Sequence, residues 1–388
     1  TVIFDAFFRN NPMDSGYSIM AGLEQVIQYV KELRFEQEDI DYLASLGIFS
    51  EDFLAYLKDF KFTGDIYAIP EGTVIFPREP LVKVIAPIME AQLVETALLN
   101  IINHQSLIAT KAARVCYAAK GDGILEFGLR RAQGPDAGIY GARAAMIGGC
   151  VGTSNVLAGE LFDVPVRGTH AHCWVMSFPD EYTAFKTYAE MYPQACTLLV
   201  DTYDVLKSGM PNAIKVFKDL KAKGHKPLGI RLDSGDLDYL SKECKNMLTE
   251  AGFEDVRITA SNDLDEYCIS NLKSSGSPIN SWGVGTKLIT SSDSPSLGGV
   301  YKLVASYKDG KYEPKIKISE DPEKITNPGY KKVHRFYDNV TGYALGDLIA
   351  TYDEIIPKDE YISLQTQFES ELNAMNVEID NLRKDTIP

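Results

Sequence analysis

The sequence predicts an α/β protein: an irregular parallel β/α barrel joined to a discontinuous α+β open-faced sandwich domain made from both ends of the chain. Three observations predict it. Short apolar segments recur through the middle of the chain, each released into a polar cluster. Helical stretches lie between them. On both sides the texture changes to alternating strands and tight turns. At 388 residues the chain is long enough for a barrel and one further core.

On the N-terminal side, Leu23, Val26, Ile27, Val30 and Leu33 recur at helical spacing within residues 19–34, opposite Glu24, Gln28, Lys31 and Glu32. That helix is expected to pack on a sheet formed by residues 62–69, 73–76 and 81–85. A Pro-Glu-Gly turn joins the first two runs, and Pro80 and Pro87 bracket the third. A long helical stretch then runs from about Ile88 to Lys120 and stops at Gly121-Asp122-Gly123.

The barrel segments are residues 124–127, 164–166, 198–200, 229–232, 256–259 and 281–284. Beyond Gly298-Gly299, residues 300–307, 312–318, 332–337 and 344–352 read as antiparallel strands, with Lys308-Asp309-Gly310 as a hairpin turn. The expected domains are 1–115 with 303–388 for the sandwich, and 116–302 for the barrel. A surface helix is expected over 363–382.

A formal charge of -15 and a pI near 4.9, with no Lys/Arg-rich block, argue against nucleic acid as a partner. Basic residues gathered in one cleft can still hold a small anion. The six cysteines form no Cys-x-x-Cys pair, which suggests neither a zinc site nor a disulfide scaffold and fits a reducing cytoplasm. Apolar stretches are broken by charged residues before about 18 residues, so no membrane partner is expected.

Several strand tips carry candidate chemistry. His170 and His172 follow a strand beside Gly168 and Thr169, either as groups able to act near neutral pH or as hydrogen-bonded loop residues. Phe127 and Arg130 offer a stacking ring beside a guanidinium, the arrangement that suits a flat anion, or else a core ring with surface arginines. Strand alternation puts Arg231 and Asp233 on one face, pointing to the barrel interior. Asp233 and Asp236, with Asp201 and Asp204 similarly placed, can hold ribose hydroxyls or hydrated Mg²⁺; the alternative is an Asp-Ser-Gly-Asp turn capping a helix. Gly283, Gly285 and Thr286, and further on Gly298 and Gly299, allow backbone N–H groups to approach phosphate. Neither a P-loop nor a Rossmann fingerprint occurs. From another reaction class, Lys287 at a strand's end is a candidate Schiff-base lysine of a barrel aldolase.

Taken in order, Glu126-Phe-Gly-Leu-Arg-Arg-Ala-Gln-Gly-Pro-Asp136, Gly152-Thr-Ser-Asn155, Gly168-Thr-x-Ala-His172, Arg231-Leu-Asp-Ser-Gly-Asp236 and Gly283-Val-Gly-Thr286 resemble the nicotinate phosphoribosyltransferase family. Segments 11–17 and 320–328 are similar to it as well. The resemblance implies transfer of phosphoribose from phosphoribosyl pyrophosphate to nicotinate, driven by ATP hydrolysis with Mg²⁺ on the leaving pyrophosphate. It implies that ATP phosphorylates His172, and that the pyridine ring lies between Phe127 and Tyr17 of a second subunit. Arg130 and Arg231 would meet carboxylate or phosphate groups and Asp233 the ribose. Ser154 and Thr169 would join the substrate pocket, and Gly283, Gly285, Thr286, Gly298 and Gly299 the 5′-phosphate. The enzyme would be a homodimer with its active site at the interface. Two departures stand out. Family members usually carry a further stretch before the position of Thr1, and His170 stands where a smaller or aliphatic residue is expected, so it receives no catalytic role. The nearest rival is a nicotinamide phosphoribosyltransferase, which is expected to carry a carboxylate where this chain has Ser154, so the acid is favoured.

Overall fold

The structure, a computed structural model, describes residues 1–321 and 324–351 together with positions 366, 367 and 370. The surface helix expected over 363–382 therefore lies almost wholly outside the described residues.

The opening strand, Val2–Phe8, is buried along its whole length. It occupies the centre of a five-stranded antiparallel sheet ordered Lys311–Pro314, Gly299–Lys308, Val2–Phe8, Val82–Ala86, Asp65–Ala68. Phe4, Ala6 and Phe8 pack with Val94, Leu98 and Ile102 of the helical segment behind it, while Ile3 packs with Val304 and Ala305 on the other face. Burial on both faces removes the polar alternation by which a strand is recognised, so this strand carries no period-two pattern. Strand Gly299–Lys308 begins before the boundary expected at residue 302 and pairs Gly299 with Phe8. Both chain ends thus share one sheet.

Two short helices, Gln37–Ser45 and Glu51–Lys58, lie outside the elements expected from the sequence. Each has a local start signal: a Glu36/Asp39 capping box for the first, and Ser50 accepting from Phe53 N for the second. The long helix Glu95–Ala118 follows the short helix Ile88–Leu93 and carries a buried polar row, Gln105, Ser106, Thr110 and Lys111. Ser106 and Thr110 accept the amides of Ala21 and Ile19, which pins the segment that follows Tyr17. A late hairpin, Lys331–Tyr337 with Ala344–Thr351, docks through Arg335, whose Nη2 donates to Val74 O.

The second sheet is parallel and curled, ordered Gly152–Thr153, Gly123–Glu126, Ser281–Val284, Arg257–Ala260, Gly229–Leu232, Thr197–Leu199. Residues 164–166, expected as a barrel strand, contribute only a single bridge between Thr153 and Val166. Pro165 has no N–H to donate and Gly168 follows at once, so no ladder extends from there. The seam toward Thr197–Leu199 is crossed instead through side chains, beginning with His170, whose Nε2 accepts from Leu199 N at 3.1 Å.

Alternation along the strands sends Ile124, Leu198, Ile230, Ile258 and Trp282 outward into the helical layer, where all are buried. The inward positions are smaller or polar: Gly123, Thr197, Thr259 and Ser281, with Leu125 and Phe127 above them. A packed barrel interior needs bulky branched residues. Here a cavity of about 520 Å³ remains, lined by these residues, Thr169 and the guanidinium side chains of Arg167 and Arg257.

Candidate active site

Three strand tips and the loop at Thr169 meet at Arg231. Its Nε donates to Ser261 Oγ at 2.9 Å, Nη1 to Thr169 Oγ1 at 2.7 Å and Nη2 to Asp233 Oδ1 at 3.0 Å. Ser261 Oγ also donates to Asp233 Oδ1. The guanidinium lies 5.9 Å from the centre of the Phe127 ring, within cation–π range. A guanidinium carries five N–H groups, so donors remain on Nη1 and Nη2 for an incoming oxyanion. Gly283 makes room for Phe127: a Cβ there would stand 2.6 Å from Phe127 Cδ2.

Behind this group lies Asp201, whose side chain is 1% exposed. Its Oδ2 accepts from Asp233 N at 2.8 Å and Ser234 Oγ at 2.6 Å. Its Oδ1 stands 3.1 Å from Nε2 of His172, a side chain 39% exposed. A buried carboxylate on Nε2 orients the ring with its proton there and leaves the Nδ1 lone pair outward. From sequence alone Asp201 belongs with the ribose and Mg²⁺ candidates. Its position two residues after a strand was the available signal, but its imidazole partner sits 29 residues away.

Phe127, Arg130, Arg231, Asp233, Ser261, Gly283, Gly285 and Thr286 share one cavity of about 210 Å³, and Arg131 and Asp263 join them. Arg130 and Arg131 sit on the turn Leu129–Arg131, exposed at its rim. Phe127 lines this cavity and the larger one below it. Ser154 follows strand Gly152–Thr153, and its N donates to Glu126 O at 3.0 Å, which sets it beside the Phe127 tip.

Other candidates stand elsewhere. Gly298 and Gly299 do not line the mouth cavity; Gly299 opens a strand, and a Cβ on it would collide with Oδ1 of Asn103. Tyr17 packs against the barrel core near Arg114 and Glu266, away from its own chain's mouth. Lys287, within the short helix Thr286–Ile289, lines neither the mouth nor the interior cavity.

His170 has a structural place. It is 7% exposed, with Phe185 and Tyr188 against its ring. Burial, helped by the nearby Arg231 charge, pushes its pKa down to about 4, which keeps Nε2 an acceptor for Leu199 N. Glu126 is also buried, and burial holds its carboxyl above the usual range, although Thr153 Oγ1 donates to it at 2.6 Å and Gly128 N donates as well.

Among the described residues no three His, Cys, Asp or Glu side chains gather as a metal cage. Asp236 accepts from Tyr239 N and caps helix Leu237–Glu250. Asp233 lines the cavity, and the oxygen that Arg231 and Ser261 engage is Oδ1. One carboxylate of this kind suits Mg²⁺ that arrives with substrate phosphates, which commonly supply its remaining ligands along with water.

The comparisons with known proteins agree with this geometry. Residues 1–103 match the nicotinate phosphoribosyltransferase (NAPRTase) N-terminal domain, and residues 123–352 match the nicotinate phosphoribosyltransferase (NAPRTase) family. The nicotinate phosphoribosyltransferase of Bacillus subtilis is 54% identical over 352 residues, covering 91% of this chain and 71% of that protein. The Homo sapiens nicotinate phosphoribosyltransferase is 35% identical over 412 residues, covering 92% of this chain and 76% of that one. The crystal structure of human nicotinic acid phosphoribosyltransferase superposes with a TM-score of 0.79 at 32% identity, covering 92% of this chain and 78% of that chain. With barrel, sandwich and mouth all accounted for in one relationship, the chain belongs to the nicotinate phosphoribosyltransferase family.

Proposed function

We propose that the barrel mouth joins nicotinate to phosphoribosyl pyrophosphate and that His172 couples this transfer to ATP. The pyridine nitrogen's lone pair attacks the anomeric carbon, and the bond to pyrophosphate breaks with its electrons leaving on pyrophosphate. No proton has to move, so the site needs positioning and charge stabilisation more than a strong base. Phe127 supplies the ring face, the remaining Arg231 donors meet the carboxylate, and Asp233 reaches the ribose. Arg130, Arg131 and the backbone at Gly285–Thr286 face the phosphate end. Mg²⁺, held through Asp233, would neutralise the leaving pyrophosphate. Ser154 leaves the pyridine substituent without a facing carboxylate, which favours nicotinate over nicotinamide.

The observation that carries the ATP reading is the hydrogen bond between His172 Nε2 and buried Asp201. It directs Nδ1 outward as the nucleophile for the γ-phosphoryl group, with ADP as the leaving group and water later releasing phosphate. Because Asp201 also holds Asp233 N and Ser234 Oγ, a phosphoryl group on His172 would be felt by the loop that binds ribose.

A homodimer in which Tyr17 of the partner subunit covers the pyridine fits two facts. Tyr17 is absent from its own mouth, and helix Val156–Phe162 exposes Val156, Leu157 and Leu161 beside the site. All six cysteines are free thiols, in keeping with a cytoplasmic home. Among the described residues no helix is long and apolar enough to cross a membrane.

Incubation with γ-labelled ATP tests the coupling. An acid-labile phosphate on Nδ1 of His172 is expected. His172→Ala should lose both label and ATP stimulation while keeping some ATP-independent transfer; unchanged stimulation would remove the assignment.

A further inference from the structure

The long helix Glu95–Ala118 touches the mouth through its loops rather than through substrate. Lys111 is fully buried, yet its Nζ meets two carboxylates: both oxygens of Asp293 at 2.8 Å and Glu266 Oε2 at 2.6 Å. Glu266 in turn accepts from Arg114 Nε at 2.8 Å. Two cations and two carboxylates balance, but a well-packed apolar residue is generally as stabilising at such a position as a buried ion pair. What the charges add is directional attachment to two particular loops.

Those loops follow neighbouring strands of the parallel sheet. Glu266 begins the helix reached from strand Arg257–Ala260 through Ser261, Asn262 and Asp263, all of which line the mouth cavity. Asp293 lies in the loop reached from strand Ser281–Val284 through Gly285 and Thr286, which line it too. Thr290 Oγ1 donates to Thr286 O at 2.6 Å and Ser292 N to Lys287 O, so a hydrogen-bonded turn runs from Thr286 to Ser292, the residue before Asp293. The far end of that loop meets the same helix again. Asn103 stands eight residues before Lys111, on the same face and about 12 Å along the axis. Its Oδ1 fills the space that a side chain on Gly299 would need.

We propose that Lys111 is a positioning residue for the phosphate end of the site: it ties the loops after two adjacent strands to one helix, and Asn103 fixes where the second loop returns to the sheet. This rests on the reading that Gly285–Thr286 faces a phosphate of phosphoribosyl pyrophosphate. Loosening Asp293 then weakens phosphoribosyl pyrophosphate binding without disturbing the pyridine pocket at Phe127 and Ser154.

Because removing Lys111 would take a cation from buried Glu266 and open a cavity in the helix packing, the principal variant is Asp293→Asn at the more exposed partner, with Lys111→Arg as the conservative partner and thermal melting to verify folding. Asp293→Asn should raise KM for phosphoribosyl pyrophosphate about tenfold, leaving kcat and the nicotinate KM within about twofold. Lys111→Arg, which can still serve both acceptors, should stay near wild type. An unchanged phosphoribosyl pyrophosphate KM in folded Asp293→Asn, or a parallel rise for nicotinate, would overturn the proposal. Gly285→Ala separates the two ideas, since it alters the cradle directly: no rise in phosphoribosyl pyrophosphate KM there would overturn the phosphate reading itself.

Discussion

Arg231 at the barrel mouth and Lys111 in the long helix are both cations gripped by carboxylates and hydroxyl-bearing loops, yet their surroundings differ. Lys111 is sealed, its ammonium divided between Asp293 and Glu266. Arg231 opens onto a cavity, keeps N–H groups to spare and has an aromatic face beside it. Residue type does not separate architecture from chemistry here. Unspent hydrogen-bonding capacity facing empty space does.

The largest expected effect tests that contrast at its functional end. Arg231→Met leaves Asp233, Ser261 and Thr169 without their common donor and removes the cation facing substrate, so kcat/KM should fall roughly 10³-fold. Arg231→Lys should recover little, because an ammonium cannot span three directions. Steady-state pyrophosphate release measures both; a loss under tenfold for Arg231→Met would erase the distinction between the two cations.

A middle-sized effect concerns the seam. His170 titrates near 4 when folded against an ordinary 6.5, so the folded state binds fewer protons between those values and stability is lost as pH falls from 6.5 toward 4. The contribution is on the order of 3 kcal/mol. His170→Gln keeps an acceptor for Leu199 N and should flatten this slope in urea titrations at pH 7 and pH 5. A slope identical to wild type would mean that the seam does not depend on a neutral imidazole.

The last effect, shared between two carboxyls, belongs to the contact with the late hairpin and has the opposite sign. Burial and the adjoining Asp347 raise Glu79 to about 8, while Arg335, bidentate to Asp347 at 2.8 and 2.6 Å, holds Asp347 down. The folded pair therefore keeps a proton that the unfolded chain releases above about 4.5, and stability declines as pH rises from there to 8. Glu79→Gln should remove that decline in melting temperature between pH 6 and pH 8.5, and a persisting decline would place its origin elsewhere.

How much of this was legible in the sequence depended on range. Five of the six barrel segments were visible as apolar runs released into polar residues, and Arg231 and Asp233 share a face by alternation alone. The sixth, residues 164–166, reads like the rest, but Pro165 leaves too few donors for a ladder. The strand Val2–Phe8 was hidden because both its faces are covered. Within the site, Phe127, Arg231 and Asp233 were found from local pattern. The His172–Asp201 and Arg231–Thr169 bonds span 29 and 62 residues, and no spacing rule reports contacts set by the closure of a sheet. Asp236 and Gly299 show the converse, since their residue types suit ligand contact and the fold spends one on a helix start and the other on close packing with Asn103.

The most direct test of the account is a crystal structure with nicotinate mononucleotide bound. The pyridine ring should stack on Phe127 with its carboxylate on Arg231, and the phosphate should lie against the Gly285–Thr286 backbone. A nucleotide seated instead in the hollow interior below Phe127, or on a surface that leaves Arg231 bound only to Ser261, Thr169 and Asp233, would contradict it.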